Sequence, residues 1–408
     1  MPRRKLVPIG TACLLVFCAP TVQAQSPLTF QQALTMARER APRVAVARAR
    51  IDEARGRLAG AAVRFRDNPV IDASAGPRWL ETGNVTDYEF GLSQTFELGK
   101  RRDARIAGAE AGIARETAAS DATIRQLVRD VAMAYVQVLL DQKRVEVLEA
   151  AEIVARKALD VSERRFRAGD IALLDVNLAR GSAARAASQT RGAQAARAAA
   201  LGDLKALLAW SDPTDPQPVG TLNELIRAGL DVEIVAPFER PEVQSLVAEA
   251  AEARAEISLG KALKKPDLGF GMRIKRDEGH QAAAGVVSIA IPLFNSGQEQ
   301  IATGTARERR ADLERTAVMS ELDLRAQSAR AAFTLRVSAT EPLERDVLPG
   351  LEENERLAQR SFEVGELSLT DVLLIRREFV DTRLQYLEAL AEAAAASIDW
   401  QMAAGVLR

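Results

Sequence analysis

One phrase occurs twice in this chain of 408 residues, and the repetition restricts the fold more than any other feature. Residues 164–180 read RRFRAGDIALLDVNLAR, and residues 360–377 read RSFEVGELSLTDVLLIRR. In both copies an aromatic residue is followed three residues later by Gly and nine residues later by Asp-Val. Repetition of a phrase this long predicts a duplicated structural unit.

Three further landmarks recur, so that the four offsets are 199, 197, 198 and 196. They pair APRV (41–44) with RPEV (240–243), NPVIDASAG (68–76) with KPDLGFGMR (265–273), and TFELGK (95–100) with LFNSGQ (293–298). A nearly constant offset predicts two copies of one unit, and the Pro-rich and Asp-rich segment WSDPTDPQPVGT between them reads as a linker. The predicted domains are a first repeat at 25–210, a linker at 211–240 and a second repeat at 241–408.

Each copy predicts the same order of elements: a helix, two short strands, a very long helix, and a helix that returns beside it. The first and last helices are expected at 29–65 and 171–209 in one copy, and at 241–263 and 367–406 in the other. Thr29 is the expected N-cap of the first helix. In the second copy Pro342 and Pro349 should kink or break the long helix.

The long helix of the first copy should run from about residue 100 to 166, because no proline occurs between Pro77 and Pro213. Apolar residues recur along it at heptad spacing, which predicts a narrow coiled-coil seam. The seam comprises Ile124, Val128, Val131, Tyr135, Val138 and Val145. The Gly of the repeated phrase should then end the helix and reverse the chain.

The strand segments alternate between apolar and polar residues. In 267–275 and 86–96 one face is apolar and the other carries charges and glycines, which suits a sheet with lipid on one side and water on the other. Residues 68–79 fit less well, and 282–294 is apolar on both faces. The fold class is therefore mainly α with a transmembrane β part, built from long antiparallel helical hairpins and four strands.

Four strands cannot close a barrel, and open strand edges are not tolerated in lipid. The residues therefore predict an oligomer in which several chains pool their strands.

The first 24 residues have the basic start, apolar stretch and small-residue end of a secretory signal peptide. Both cysteines, Cys13 and Cys18, fall within it, and the bulky Phe17 disfavours lipidation of Cys18. Removal of this segment would take away three of the 55 basic residues and none of the 56 acidic residues. The remaining chain would have 52 basic and 56 acidic residues. This balance gives no case for a nucleic-acid partner.

The chain resembles the TolC-like outer-membrane efflux protein family. The resemblance rests on SQTFELGKR (93–101), IPLFNSGQ (291–298) and the two tip phrases, and the first two are most similar to the CzcC-like heavy-metal branch. It implies a homotrimeric duct with a 12-stranded barrel in the outer membrane of a Gram-negative bacterium and a helical tube in the periplasm. It also implies a tripartite efflux pump, with a periplasmic adaptor and an inner-membrane transporter of the proton-driven resistance-nodulation-division type.

The resemblance also implies site residues at the two hairpin tips. The adaptor-facing residues would be Gly169, Asp170, Ile171, Gly365, Glu366 and Leu367, and the periplasmic constriction would comprise Asp175, Asp371 and Leu374. Where other family members place a gate-locking Tyr and Arg, this chain has Phe362 and Leu367, and Leu374 replaces a second constriction Asp. We therefore expect apolar contacts of Leu367, Leu369 and Leu374 to hold the duct closed.

No catalytic motif, cofactor motif or metal-ligand cluster accompanies these features, so we expect no enzyme activity, cofactor or metal site. His280 is the only histidine, and Lys100, Arg101 and Arg102 read as a solvated boundary between strand and helix. Two alternatives remain open at this point. The chain could be a soluble periplasmic coiled-coil scaffold, or an outer-membrane duct for drugs instead of metals.

Overall fold

In a computed structural model of the chain, the described residues are 27–80, 83–277, 280–364 and 366–407. The predicted signal peptide at 1–24 and Gly365 lie outside them, as do residues 25–26, 81–82, 278–279 and 408. The helices are α1 (Phe30–Arg40), α2 (Pro42–Ala61), α3 (Arg101–Ala168), α4 (Leu173–Leu208), α5 (Leu222–Arg227), α6 (Pro241–Ala262), α7 (Gln298–Pro342), α8 (Leu348–Glu363) and α9 (Leu369–Ala404). The strands are β1 (Pro27–Thr29), β2 (Val70–Leu80), β3 (Gly83–Phe96), β4 (Gln217–Val219), β5 (Asp267–Asp277) and β6 (His280–Ala290).

The two halves repeat one order of elements, as the duplication predicted. Thr29 caps α1, with its hydroxyl accepting from the Gln32 N–H at 3.3 Å. The prediction of one helix over 29–65 is wrong, because Ala41 is extended and Pro42 begins a separate helix. A residue before proline is disfavoured in the helical region, whereas proline itself suits the first helical position.

The 68 residues of α3 form one uninterrupted helix, about 100 Å long at 1.5 Å per residue. The helix ends at Gly169, whose φ of 84° places it in the left-handed region that glycine adopts without strain. Both ends were predicted to within two residues.

The predicted seam of α3 is buried except at Ile124, which is half-buried, and the buried surface of α3 is wider than a heptad seam. Leu127, Val136 and Leu139 are buried beside it, because α3 packs against α1, α2, α4, α6 and α9.

The second long helix is interrupted, as Pro342 and Pro349 predicted. Helix α7 ends at Pro342, residues 343–347 form a π-helical turn, and α8 begins at Leu348 with Pro349 in its first turn. Proline lacks an N–H and its ring collides with the preceding turn, so the regular hydrogen-bond ladder cannot continue through this segment.

The main hydrophobic core lies beside the middle of α3, where α1, α3, α4, α5, α7 and α9 meet. At its centre the Tyr135 hydroxyl lies 2.7 Å from the Leu28 carbonyl oxygen and accepts a 3.0 Å bond from the Val219 N–H. It thereby joins the small parallel sheet of β1 and β4 to α3. The segment predicted as a linker, 211–240, contributes β4 and α5 to this region.

The larger sheet is antiparallel, with strand order β2-β3-β5-β6. The two hairpins within it have matching register, since Leu80 pairs with Gly83 and Asp277 pairs with His280. The strand predicted over 282–294 ends at Ala290, four residues early.

Candidate functional site

The large sheet has one apolar face, and that face is exposed. Directly opposed residues share a face, so the pairs Phe90 with Ile274 and Leu92 with Met272 place four apolar side chains together. The members of this face that are about half exposed or more are Ile71, Trp79, Phe90, Leu92, Phe270, Met272, Ile274, Val287 and Ile289. A contiguous apolar surface of this kind marks contact with lipid or protein.

The opposite face carries charges that pair across strands. Arg78 lies 2.6 Å from Asp87 and 2.5 Å from Asp277, and Arg273 lies 2.7 Å from Glu89. The sheet therefore has one face suited to hydrocarbon and one suited to water, as the alternation in 86–96 and 267–275 predicted.

The junction between sheet and helices contains a buried arginine that the sequence interpretation missed. Arg101, expected to be solvated, is 6% exposed. Its guanidinium lies 2.5 Å from the Asp267 carboxylate and donates to the carbonyl oxygens of Ala262 and Lys265. It thus fixes α3 of the first repeat to α6 and β5 of the second. Charge at a strand–helix boundary gave no signal that this arginine would be enclosed.

The two hairpin tips share one backbone hydrogen bond at matching positions. The N–H of Asp170 donates to the Arg165 carbonyl at 2.9 Å, and the N–H of Glu366 donates to the Ser361 carbonyl at 2.8 Å. These are six-residue turns that close the end of a helix, and both are followed by a return helix. Asp170, Ile171, Glu366 and Leu367 therefore lie at the ends of the hairpins.

Asp175 and Asp371 occupy matching positions in the first turns of α4 and α9. The Asp175 carboxylate accepts from the Ala172 N–H at 3.3 Å. The Asp371 carboxylate accepts a hydrogen bond from the Ser368 hydroxyl at 2.6 Å. The backbone N–H of Asp371 donates to the same hydroxyl at 3.2 Å. Each carboxylate therefore serves as part of a helix cap.

The tips differ in what covers their apolar residues. Phe362 and Leu369 of the second tip are buried with Ala179, and Leu159 and Val161 of the first hairpin pack against them. The Arg165 guanidinium of the first hairpin lies 5.6 Å from the Phe362 ring.

The corresponding residues of the first tip are exposed, Phe166 by 42% and Leu173 by 54%.

The three leucines expected to close the duct lie in different environments. Leu369 is buried within the chain, Leu367 is half-buried against the same cluster, and Leu374 is 66% exposed. Only Leu374 has most of its surface free to contact another molecule.

The described part of the chain contains no group of three or more His, Cys, Asp or Glu side chains placed to hold a metal ion. Within the same residues, no helix combines the length and the apolar content that crossing a bilayer requires.

Comparison with known proteins identifies the family. The model of the outer membrane efflux protein family matches residues 33–209 and 236–406, one segment for each repeat. The chain belongs to the outer membrane efflux protein family. The resemblance drawn from the tip phrases and the strand–helix junctions is thereby confirmed.

Individual members of the outer membrane efflux proteins match along nearly the whole chain. The cobalt-zinc-cadmium resistance protein CzcC of Cupriavidus metallidurans is 28% identical over 397 residues, covering 96% of this chain and 93% of CzcC. The solved CusC structure has a TM-score of 0.77 at 17% identity, covering 99% and 98% of the two chains. The CmeC outer membrane channel of Campylobacter jejuni has a TM-score of 0.75 at 14% identity, covering 99% and 94%.

The chain is therefore an outer-membrane channel that serves efflux, and it is located in the outer membrane. Outer membrane efflux proteins form trimers and work within tripartite pumps. The family is one of transport channels and not of enzymes.

Proposed function

We propose that three copies of this chain form a closed duct that passes heavy-metal cations from a periplasmic pump to the exterior. The four-stranded sheet carries the proposal. Its apolar face is exposed, its charged face is opposite, and β2 and β6 stand at its two edges. Unpaired strand edges are costly in hydrocarbon, so the sheet requires neighbours, and three copies would supply twelve strands.

The similarity to the cobalt-zinc-cadmium resistance protein supports metal cations as the cargo. The duct itself would be passive. Selectivity and energy would come from an inner-membrane transporter of the proton-driven resistance-nodulation-division type, joined to the duct by a periplasmic adaptor.

The hairpin tips would face the adaptor through Gly169, Asp170, Ile171, Gly365, Glu366 and Leu367. The tips are the turns at the far end of α3 from its sheet junction, which supports this assignment. The constriction would comprise Asp175, Asp371 and Leu374. Their positions in the first turns of the return helices, with Asp371 and Leu374 exposed, support that assignment. Cysteine cross-linking of an Ile171→Cys variant to the adaptor tests it, with Ile153→Cys in mid-helix as the control.

The central experiment compares two adjacent valines of β6 that lie on opposite faces. Val287 lies opposite Phe270 on the apolar face, whereas Val286 lies opposite Gly271 on the charged face. Arginine at mid-membrane on a lipid-facing position costs about 2–4 kcal/mol, and arginine facing the lumen is tolerated. We expect Val287→Arg to be lost from the outer-membrane fraction and Val286→Arg to be retained there.

The same two variants test the cargo when they are returned to a strain that lacks the chain. That strain should become hypersensitive to zinc, cobalt, cadmium or copper salts, and Val286→Arg but not Val287→Arg should restore growth. Hypersensitivity to drugs and dyes alone would mean that the chain exports organic compounds and not metal cations. Release of the unaltered protein with soluble periplasmic contents would favour the scaffold alternative and contradict the duct.

A further inference from the structure

All four strands of the large sheet meet the helices at the same end of the sheet. Strands β2 and β5 begin there, after α2 and α6, and strands β3 and β6 end there, before α3 and α7. The four connecting segments, named the junction loops, are 62–69, 97–100, 263–266 and 291–297. The apolar face of the sheet contacts hydrocarbon in the proposed duct, so the junction loops lie at the level of the lipid headgroups.

The junction loops are basic, although the chain as a whole is nearly neutral. The whole chain has 55 basic and 56 acidic residues, whereas the junction loops hold only two acidic residues, Asp67 and Glu97. Glu97 is half-buried and lies 2.6 Å from the guanidinium of Arg105 in α3. Against these two stand the exposed basic side chains of Arg64, Arg66, Lys100, Lys264 and Lys265.

Most of these basic side chains have no acidic partner. Arg66 approaches Glu97 only to 4.0 Å, and within the described part of the chain the other four make no ion pair. The charged face of the sheet differs, because its basic side chains lie between 2.5 and 3.4 Å from carboxylates, as seen for Arg78, Arg273 and Lys275. Like charges gathered without counter-charges repel one another, and an anion from outside the chain would relieve this repulsion.

The geometry places one of these cations at the margin of the apolar face. Phe96 ends β3 on that face, opposite Leu268. The ring of Phe65 packs edge-on against Phe96, with 5.6 Å between the ring centroids, and the guanidinium of Arg64 lies 5.9 Å from the Phe65 ring. The apolar face is thus extended by one aromatic ring and then ends in a positive charge. Rings and basic side chains in this order are typical of proteins at a membrane–water interface.

The basic residues of the two repeats lie side by side. The alkyl chain of Lys265 crosses Gly99, so closely that a Cβ on Gly99 would lie 2.8 Å from the Lys265 Cδ atom. This contact places Lys265 of the second repeat beside Lys100 of the first. A lysine whose alkyl chain packs on protein while its amine stays in water can present that amine to a headgroup.

We propose that the junction loops bind the headgroups of anionic phospholipids in the leaflet that faces the periplasm, through Arg64, Lys100, Lys264 and Lys265. The proposal goes beyond transport, and it rests on the lipid-facing sheet of the proposed duct. Arg64 can bind a lipid phosphate through two N–H groups, and the lysines supply compact positive charges. Each basic residue at a membrane surface strengthens binding to anionic lipid about fivefold, whereas a zwitterionic lipid has no net charge to attract it.

Native mass spectrometry of the purified full chain in detergent tests the proposal. The probes are phosphatidylglycerol, which is anionic, and phosphatidylcholine with the same acyl chains, which is zwitterionic. We expect the unaltered protein to bind phosphatidylglycerol about tenfold more tightly than phosphatidylcholine. This preference should shrink as the salt concentration rises, because salt screens exposed charges.

Two sets of three substitutions locate the binding site. The junction variant combines Arg64→Gln, Lys100→Gln and Lys265→Gln, and it should bind the two lipids equally. The matched control removes the same charge from three exposed arginines of α4 that make no ion pair within the described residues. It combines Arg185→Gln, Arg191→Gln and Arg197→Gln. The control should keep the tenfold preference, because α4 belongs to the helical hairpin and not to the junction loops.

Two results would overturn the headgroup site. One is equal binding of both lipids by the unaltered protein, whatever the variants do. The other is an equal loss of preference in the junction variant and the α4 control, which would mean that overall charge attracts the lipid. Insertion of the unaltered protein into nanodiscs separates this outcome from the fate of the duct. A trimer that enters nanodiscs without any lipid preference would leave the duct intact, whereas failure to enter nanodiscs of either lipid would contradict both.

Discussion

The two long hairpins derive from one duplicated unit, yet they differ in continuity and burial. The first has an unbroken helix of 68 residues that carries much of the core, including Val128, Val131 and Tyr135. The second is divided by Pro342 and a π-helical turn, and none of the described side chains of α8 beyond the turn belongs to that core. The difference indicates that the two hairpins have different mechanical roles. We infer that the first hairpin is the stiffer of the two and that the second bends more readily at its break, because prolines and π-helical turns are where helices kink. Four tests, which use seven substitutions, examine this comparison.

The largest expected loss of stability comes from a proline placed in the long helix of the first hairpin, where it would imitate the interruption of the second. Ile153 of α3 is 56% exposed, so Ile153→Pro removes little core packing. Proline inside a helix costs about 3 kcal/mol or more of unfolding free energy. The opposite change, Pro349→Ile, should alter stability by less than about 1 kcal/mol, because Pro349 already occupies a first helical turn. Urea unfolding in detergent measures both, and equal costs would contradict the comparison.

The second test concerns Gly99 and Gly297, which precede the two long helices. Gly99 and Gly297 both have positive φ, so alanine at either position costs about 1–2 kcal/mol. A Cβ on residue 297 would also collide with the backbone of Gly260, whereas one on residue 99 would meet only the flexible side chain of Lys265. We expect Gly297→Ala to lower thermal stability by about 1 kcal/mol more than Gly99→Ala. A larger effect at Gly99 would show that the junctions are not arranged as described.

The third test weakens the core around α3 of the first hairpin. Tyr135→Phe leaves the Val219 N–H without its partner in a partly buried site, and loss of such a hydrogen bond costs about 0.5–1.5 kcal/mol. Burial raises the pKa of Tyr135 to about 12. A folded-state pKa above the unfolded value of about 10 means that the hydroxyl stabilises fully below pH 10 and loses this contribution as the pH rises through 12. Alkaline unfolding should therefore be less steep in the Phe variant, and an unchanged pH profile would contradict this role.

The smallest effect on stability is expected at the two tips. Leu374 and its counterpart Leu178 are both exposed, so aspartate at either position should change stability within about 0.5 kcal/mol. If apolar contacts of the movable tip close the duct, Leu374→Asp raises the resting conductance of bilayer-inserted protein and Leu178→Asp raises it less. Unchanged conductance in the Leu374 variant would show that Leu374 does not help to close the duct.

Much of this architecture could be predicted from local patterns. A proline-free stretch and a glycine placed the ends of α3, and alternation placed the faces of β3 and β5. The break at Ala41 could also have been read locally, because Pro42 disfavours a helical conformation at the residue before it. Two features could not be read in this way. The enclosure of Arg101 depends on α6, which lies far away in sequence. The different burial of Phe166 and Phe362 arises in two copies of one phrase, so only their spatial neighbours distinguish them.

The main core joins Leu28 to Leu407 in a single cluster of buried residues. Contacts between residues so distant in sequence must wait for nearly the whole polypeptide, and they slow folding. The first repeat therefore cannot complete its interior while the second is still being synthesised and exported. A nascent chain halted between the repeats would expose the apolar surface around Val131 and Tyr135, and would be a substrate for periplasmic chaperones and proteases.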